Sequence, residues 1–372
     1  MNSFGIVDLL LVLGISQGIF LAITLSLIHN KNKRANKILS FVLFIASLML
    51  VGRICYPRFS GALFFRIAGF VDTLIFVFGP LFYIYIRRLT FSESPDYKIP
   101  WYHFIPAFLH IAFFIWTLSF TIEELKIFVG QGGLDYVYFI VETTGLISNL
   151  VYMITSYHLL RVYKKVEKEN LSYSQKVHTF LKFFLFGILM FLILWMISYA
   201  NYFMRIKELY FISYHLIWMS IPIFIYIVGF FSLKQPEIFR VPLIKKKAVQ
   251  KGRLNGEELE ILKKNLEDLM VHKKIYLNNE LTLKDLSKEL NTSTNNVSWL
   301  LNNIHKCSFY DYINTYRVQE FISKIQKGEH FNHTILALSL DSGFNSKSTF
   351  NKAFKMIKND TPSNYIKKMG IV

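Results

Sequence analysis

The stretch "GFNSKSTFNKAFKMIKNDTPSNY" (343–365) decides how the chain's second half is read. Phe350, Ala353, Phe354 and Ile357 recur at steps of three and four, which makes one apolar stripe on a helix. Ser348, Asn351, Lys352 and Lys355 then lie on the opposite, outward face. The same scheme stands 53 residues earlier, in "LTLKDLSKELNTSTNNVSWLLNNI" (281–304). There Val297, Leu300, Leu301 and Ile304 take the inner positions, and Asn295, Ser298, Trp299 and Asn302 face away. Thr282 and Ser293 are placed to cap the two helices of that pair, because a hydroxyl can accept from an otherwise unpaired first-turn amide. Between the repeats "FYDYINTYRVQEFISKI" (309–325) reads as a longer amphipathic helix. Two helix pairs of one design on a connecting helix predict a tandem helix-turn-helix.

The rest of the composition is unlike that of a soluble protein. Of the 372 residues 53% are hydrophobic and 17% aromatic, and the net charge is +17. Most of the apolar excess precedes residue 233, while the charge divides almost evenly between the halves. A basic soluble half suits nucleic acid, and basic loops between apolar runs suit topology control beside anionic lipid. The two cysteines, Cys55 and Cys307, fall in different halves. They imply no disulfide framework, and no Cys/His cluster has metal-ligand spacing, so no metal or cofactor is expected.

Seven apolar stretches, at 5–28, 38–55, 64–86, 101–120, 136–160, 180–201 and 210–231, are each near the ~20 residues that cross a hydrocarbon core as helix. They predict a seven-helix transmembrane bundle. No Lys or Arg precedes the first stretch, so it is not read as a cleaved signal peptide. Cations concentrate on alternate connections, at 31–37, 87–98 and 161–176, and the other connections hold half as many. The positive-inside bias therefore puts the N-terminus outside and the C-terminal half in the cytoplasm. The run "RVPLIKKKAVQKGR" (240–253) would begin at the inner leaflet, in reach of anionic membrane lipids.

Ionisable residues inside spans are costly and need a reason. With alternating helix directions, Asp72, Glu142 and His215, together with Asp8, fall in the outer part of spans one, three, five and seven, and Arg53 and Asn201 end spans two and six at that level. Two readings stand. Asp72, Glu142, His215 and Arg53 form a signal-binding pocket open to the outside, or Arg53 neutralises a carboxylate within the bundle. His110, in the middle of span four, reads as a satisfied core histidine.

After Pro236 and Pro242 the pattern changes to that of soluble helices. Leu259, Leu262, Leu266 and Leu269 share one face of "GEELEILKKNLEDLMVHKKIY"; the stripe reads as packing against its own domain, with a homodimer seam as the alternative. The expected domains are a seven-span domain at 1–233, a basic linker at 234–256 and a DNA-binding domain at 257–372.

The motifs "YLNNELTLKDLSKEL", "FYDYINTYRV", "GFNSKSTFNKAFK" and "TPSNY", in that order, resemble the DNA-binding domain of the arabinose-regulator (AraC/XylS) family of bacterial transcription factors, in the form carried by membrane-bound members. The resemblance implies an all-α domain with two recognition helices that enter successive major grooves of double-stranded DNA. By position it assigns the base-reading faces to Asn295, Ser298, Trp299 and Asn302, then to Lys347, Ser348, Thr349, Asn351 and Lys352; the charges of Lys347, Lys352 and Lys355 independently suit phosphate or guanine edges. It also implies a multi-pass protein of the bacterial cytoplasmic membrane. The chain departs from the family pattern at Ser287 and Ser339, where alanine is usual, and at Asn359, where glycine is usual. A small hydroxyl can bond back to a carbonyl, and asparagine tolerates the left-handed turn.

No HExxH, GxSxG or paired-carboxylate helix is present, so an intramembrane enzyme is not expected. The functional expectation is a membrane-anchored, sequence-specific regulator whose bundle senses a small or lipidic signal or a membrane partner. The alternative is a passive anchor whose signal is sensed by another protein. Reporter fusions after residues 165 and 245 are expected to be active only with a cytoplasmic reporter, and fusions after residue 130 only with an external one. Phosphatase activity at 245 would overturn the seven-span topology.

Overall fold

The computed structural model describes residues 5–28, 32–55, 70–91, 100–175, 177–204, 214–234 and 256–369, and these are helical throughout their regular parts. The chain divides into two compact units. Residues 1–161 and 176–245 form the first, and residues 162–175 together with 246–372 form the second.

The first unit contains α1 (Ile6–Leu27), α2 (Lys33–Cys55), α3 (Ile75–Thr90), α4 (Ile105–Thr117), α5 (Ile122–Gly130), most of α6 (Asp135–Asn170), α7 (Val177–Met204) and α8 (Tyr214–Lys234). Small residues let the backbones approach, as they do where helices pack within lipid. A Cβ on Gly14 of α1 would come within 2.7 Å of Pro222 in α8. Large apolar side chains such as Phe20, Ile23, Ile154 and Phe186 are left outward.

The seven expected spans are not all matched by one long helix. Among the described residues four helices are long and apolar enough to cross a membrane: Ile6–Leu27, Lys33–Cys55, Asp135–Asn170 and Val177–Tyr202. A fifth is reached if the pair Trp101–Thr117 and Ile122–Gly130, bent by 113°, counts as one span. The expected third span lies partly outside the described residues, and α3 itself has only 16 residues. The last expected span is represented by the shorter apolar helix Leu216–Phe231. Hydropathy sums over a window and does not register a bend such as the one at 118–121.

In the second unit, α9 (Gly256–Val271), α10 (Leu283–Glu289), α11 (Thr294–Asn303), α12 (Phe309–Gln326), α13 (Ile335–Asp341), α14 (Lys347–Lys358) and α15 (Pro362–Lys368) build two cores. The first joins Leu262, Leu266 and Leu269 of α9 to Leu286, Val297, Leu300 and Leu301, and to Phe309 and Ile313 at the start of α12. The leucine stripe of α9 is thus occupied within its own domain. The second joins Val318, Phe321 and Ile325, from the other half of α12, to Leu338, Phe350, Ala353, Phe354 and Ile366. One helix therefore serves both cores.

The two helix pairs are near copies. Thr282 and Thr334, 52 apart, cap α10 and α13, and Ser293 and Ser346, 53 apart, cap α11 and α14. The extra residue lies in the second turn, where Gly343 has φ +92. A Cβ there would meet the Tyr276 carbonyl oxygen at 2.5 Å, so both conformation and space require glycine. Gly343→Ala is expected to lower the local stability of α13 and α14 by about 2 kcal/mol or more, read as roughly 30-fold faster amide exchange in the full chain. Gly256→Ala, with open space around it, should leave exchange in these helices unchanged.

Candidate nucleic-acid interface

The reading faces follow from how α11 and α14 are seated. In α14 the buried row is Phe350, Ala353 and Phe354, with the Phe321 ring of α12 4.7 Å from that of Phe350. Lys347, Ser348, Asn351, Lys352 and Lys355 are exposed, as the sequence register requires. Thr349 is the exception among the assigned residues. It is 3% exposed, and its hydroxyl accepts from the Ser346 hydroxyl at 3.0 Å, so its side chain lies on the inward side of α14.

In α11, Val297, Leu300 and Leu301 are buried, Asn302 is exposed, and Asn295, Ser298 and Trp299 are half-buried. The Asn302 amide donates to the Ser298 carbonyl at 2.9 Å, so part of its hydrogen-bonding capacity is spent on its own helix. Ile304, expected on the inner face, is 41% exposed because the helix ends at Asn303 and Ile304 serves as its C-cap.

The substituted positions behave as their chemistry suggests. Ser287 and Ser339 donate to the carbonyls of Lys284 and Leu336, at 2.8 and 2.7 Å. Asn359 has φ 54 and ψ 22, a left-handed C-cap that ends α14. Thr361 then caps α15, with Pro362 at its first position.

On the outward side of the second pair, a concavity of about 450 Å³ brings Lys347, Asn351 and Lys355 together with Thr334, Ile335 and Leu336 of the preceding helix, and with Thr361 and Ser363. Ammonium and amide groups on one rim suit phosphate oxygens and base edges respectively. Partial burial lowers the pKa of Lys352, and Lys164 and Lys168 lower it further.

Of the four candidate signal-binding residues, Glu142 and Arg53 have side chains within the described residues. The Glu142 carboxylate accepts a hydrogen bond from the indole N–H of Trp195. Arg53 stacks its guanidinium 5.9 Å from the Trp218 ring centre. The side chains of Asp72 and His215 lie outside the described residues. His110 is a satisfied core residue, with Nδ1 2.8 Å from the Thr73 hydroxyl.

Residues 286–368 match a family model described as a helix-turn-helix domain, of the AraC type, so the second unit carries a DNA-binding domain of that class. No curated protein and no solved structure matches the chain.

What the sequence did not announce is the contribution of residues 162–175 to this unit. In sequence it is only a basic connection, and its partners lie more than a hundred residues away.

Replacing exposed Asn351 or Lys355 by Ala should leave amide protection of α14 within about 0.5 kcal/mol of the parent while weakening duplex binding. Phe354→Ala should instead cost about 3–5 kcal/mol of stability. Unchanged duplex binding by a folded outward variant would remove its residue from the interface.

Proposed function

We propose that the chain is a membrane-anchored transcription regulator that reads double-stranded DNA sequence-specifically through α11 and α14. The observation that carries this reading is the seating of two capped helices of one register on the single connecting helix α12, each with a polar or basic face outward. The DNA-reading set is Asn295, Ser298, Trp299 and Asn302 with Lys347, Ser348, Asn351, Lys352 and Lys355. No catalytic role is proposed for any residue.

The apolar helices of the first unit support anchoring in a bilayer, and the seven-span topology with an outer N-terminus remains the proposal. Residues 162–175 support the orientation, because they belong to the same compact unit as 246–372. A connection that is part of the DNA-binding unit must lie on the DNA side of the membrane, as the lysines of 161–176 already suggested.

The first unit is proposed to sense a small or lipidic signal or a membrane partner, with Glu142 and Arg53 as the residues to test. The second reading, a passive anchor or docking site, is favoured by the short connections between apolar helices, which leave little room for an external ligand domain.

Chromatin immunoprecipitation with sequencing of a tagged copy should recover discrete sites with a shared sequence; uniform genomic recovery would overturn sequence-specific reading. For sensing, Glu142→Gln should change target-gene output per membrane-embedded protein and leave DNA affinity intact. Normal output from Glu142→Gln, Arg53→Gln and the double variant would leave only the anchor.

A further inference from the structure

Residues 162–175, the end of α6 and the turn after it, are built into the DNA-binding unit by specific bonds. Leu171 forms an isolated antiparallel bridge with Thr282, and the Ser172 amide and hydroxyl both donate to the Leu281 carbonyl, at 3.3 and 2.8 Å. The Ser172 carbonyl accepts from Arg317 Nη1 at 2.9 Å and from the Asn314 amide at 3.0 Å, and its hydroxyl accepts from Arg317 Nη2 at 3.0 Å. The segment also closes on itself, with the Gln175 amide donating to Glu167 at 2.7 Å and the Tyr163 hydroxyl to the Gln175 side chain at 2.7 Å.

This docking sets lysines of α6 beside the second recognition helix. Lys168 Nζ lies 5.5 Å from the centre of the Tyr310 ring, and Lys352 Nζ lies 5.9 Å from the same ring. Lys164 precedes Lys168 by one helical turn on the same face and is exposed. The nearby carboxylates do not balance the three ammonium groups. Asp311 is 3.5 Å from Lys168 and also accepts from the hydroxyl of Ser308, the N-cap of α12, whereas Glu167 is 4% exposed and its carboxylate accepts from the Gln175 amide.

We propose that Lys164 and Lys168, held in place by the Ser172–Arg317 docking, form with Lys352 a phosphate-contact surface for duplex DNA that extends the interface onto the end of α6. This rests on the DNA-binding reading above. The pKa of Lys352 is lowered first by partial desolvation and then by Lys164 and Lys168, against the opposing pull of Glu167 and Asp311. Glu167 and Asp311 offset part of the charge of Lys352, but these two carboxylates, one of them buried, face three ammonium groups, so the surplus positive charge suits an added polyanion.

The test uses the full chain in neutral phosphatidylcholine nanodiscs, with a short random-sequence duplex as probe, across a series of salt concentrations. Each neutralised phosphate contact contributes about 0.9 to the slope of log affinity against log salt. Lys164→Gln and Lys168→Gln should each flatten the slope by about that amount, as Lys352→Gln does. Lys164→Arg and Lys168→Arg should preserve it, which separates charge from folding. An unchanged slope in the two glutamine variants, with Lys352→Gln still effective, would overturn the proposal. So would tighter binding at all salts, the sign of a segment that screens Lys352, or a change seen only in discs containing phosphatidylserine, which would assign the lysines to lipid. Absence of duplex binding by the unsubstituted chain would sink the DNA-binding reading itself, a result distinct from binding with unchanged slope.

Discussion

The second unit depends on one buried cation. Arg317 is 0% exposed, and no carboxylate is among its hydrogen-bond partners. Its five hydrogen bonds go to the carbonyls of Tyr276, Asn278 and Ser172, the Ser172 hydroxyl and the Asn314 side chain. Burial pulls its pKa down to about 10, which leaves the guanidinium charged near neutrality. Removing partners from a buried charge costs on the order of 3–5 kcal/mol, so the groups around Arg317 are held to one geometry. They come from three places: the approach to the first helix pair, the connecting helix, and the turn after α6. The second turn closes on the same point, where a Cβ on Gly343 would lie 3.1 Å from Arg317 Nε.

That point lies between the two cores. Ile313 belongs to the first and Val318 to the second, with Arg317 between them on α12. A continuous helix with a separate apolar core at each half keeps two reading faces at a fixed separation, which is what binding to successive grooves of a duplex requires. The guanidinium adds direction where apolar packing has none, since planar donors accept partners only along set lines.

The sequence made legible whatever local chemistry governs. The caps at Thr282 and Ser293, the inward rows of α11 and α14, the left-handed Asn359 and the back-bonded Ser287 and Ser339 all follow from neighbours within a few residues. Ile304 departed from expectation because the helix ends at Asn303 and its periodicity stops there, whereas Thr349, assigned by resemblance, lies four residues before Ala353 and shares the inward row. The count of long apolar helices was less legible, since window hydropathy gives no sign of the bend between α4 and α5. Docking of 162–175 was not legible at all. The side chains Tyr163, Glu167 and Ser172 look like those of any polar loop, and their partners become known only when the chain has folded over more than a hundred intervening residues.

That separation sets the order of events during synthesis. Ser172 and Arg317 are 145 residues apart, so at about 5–20 residues per second the turn is made some 7–30 s before the guanidinium it will accept. In the meantime α7 and α8 must be produced and placed. The DNA-binding unit is thus completed late, by the return of a C-terminal stretch to a site prepared earlier in the chain. Its assembly becomes a checkpoint on the helices made between the two, because only a chain that has brought residue 172 and residue 317 together can close it.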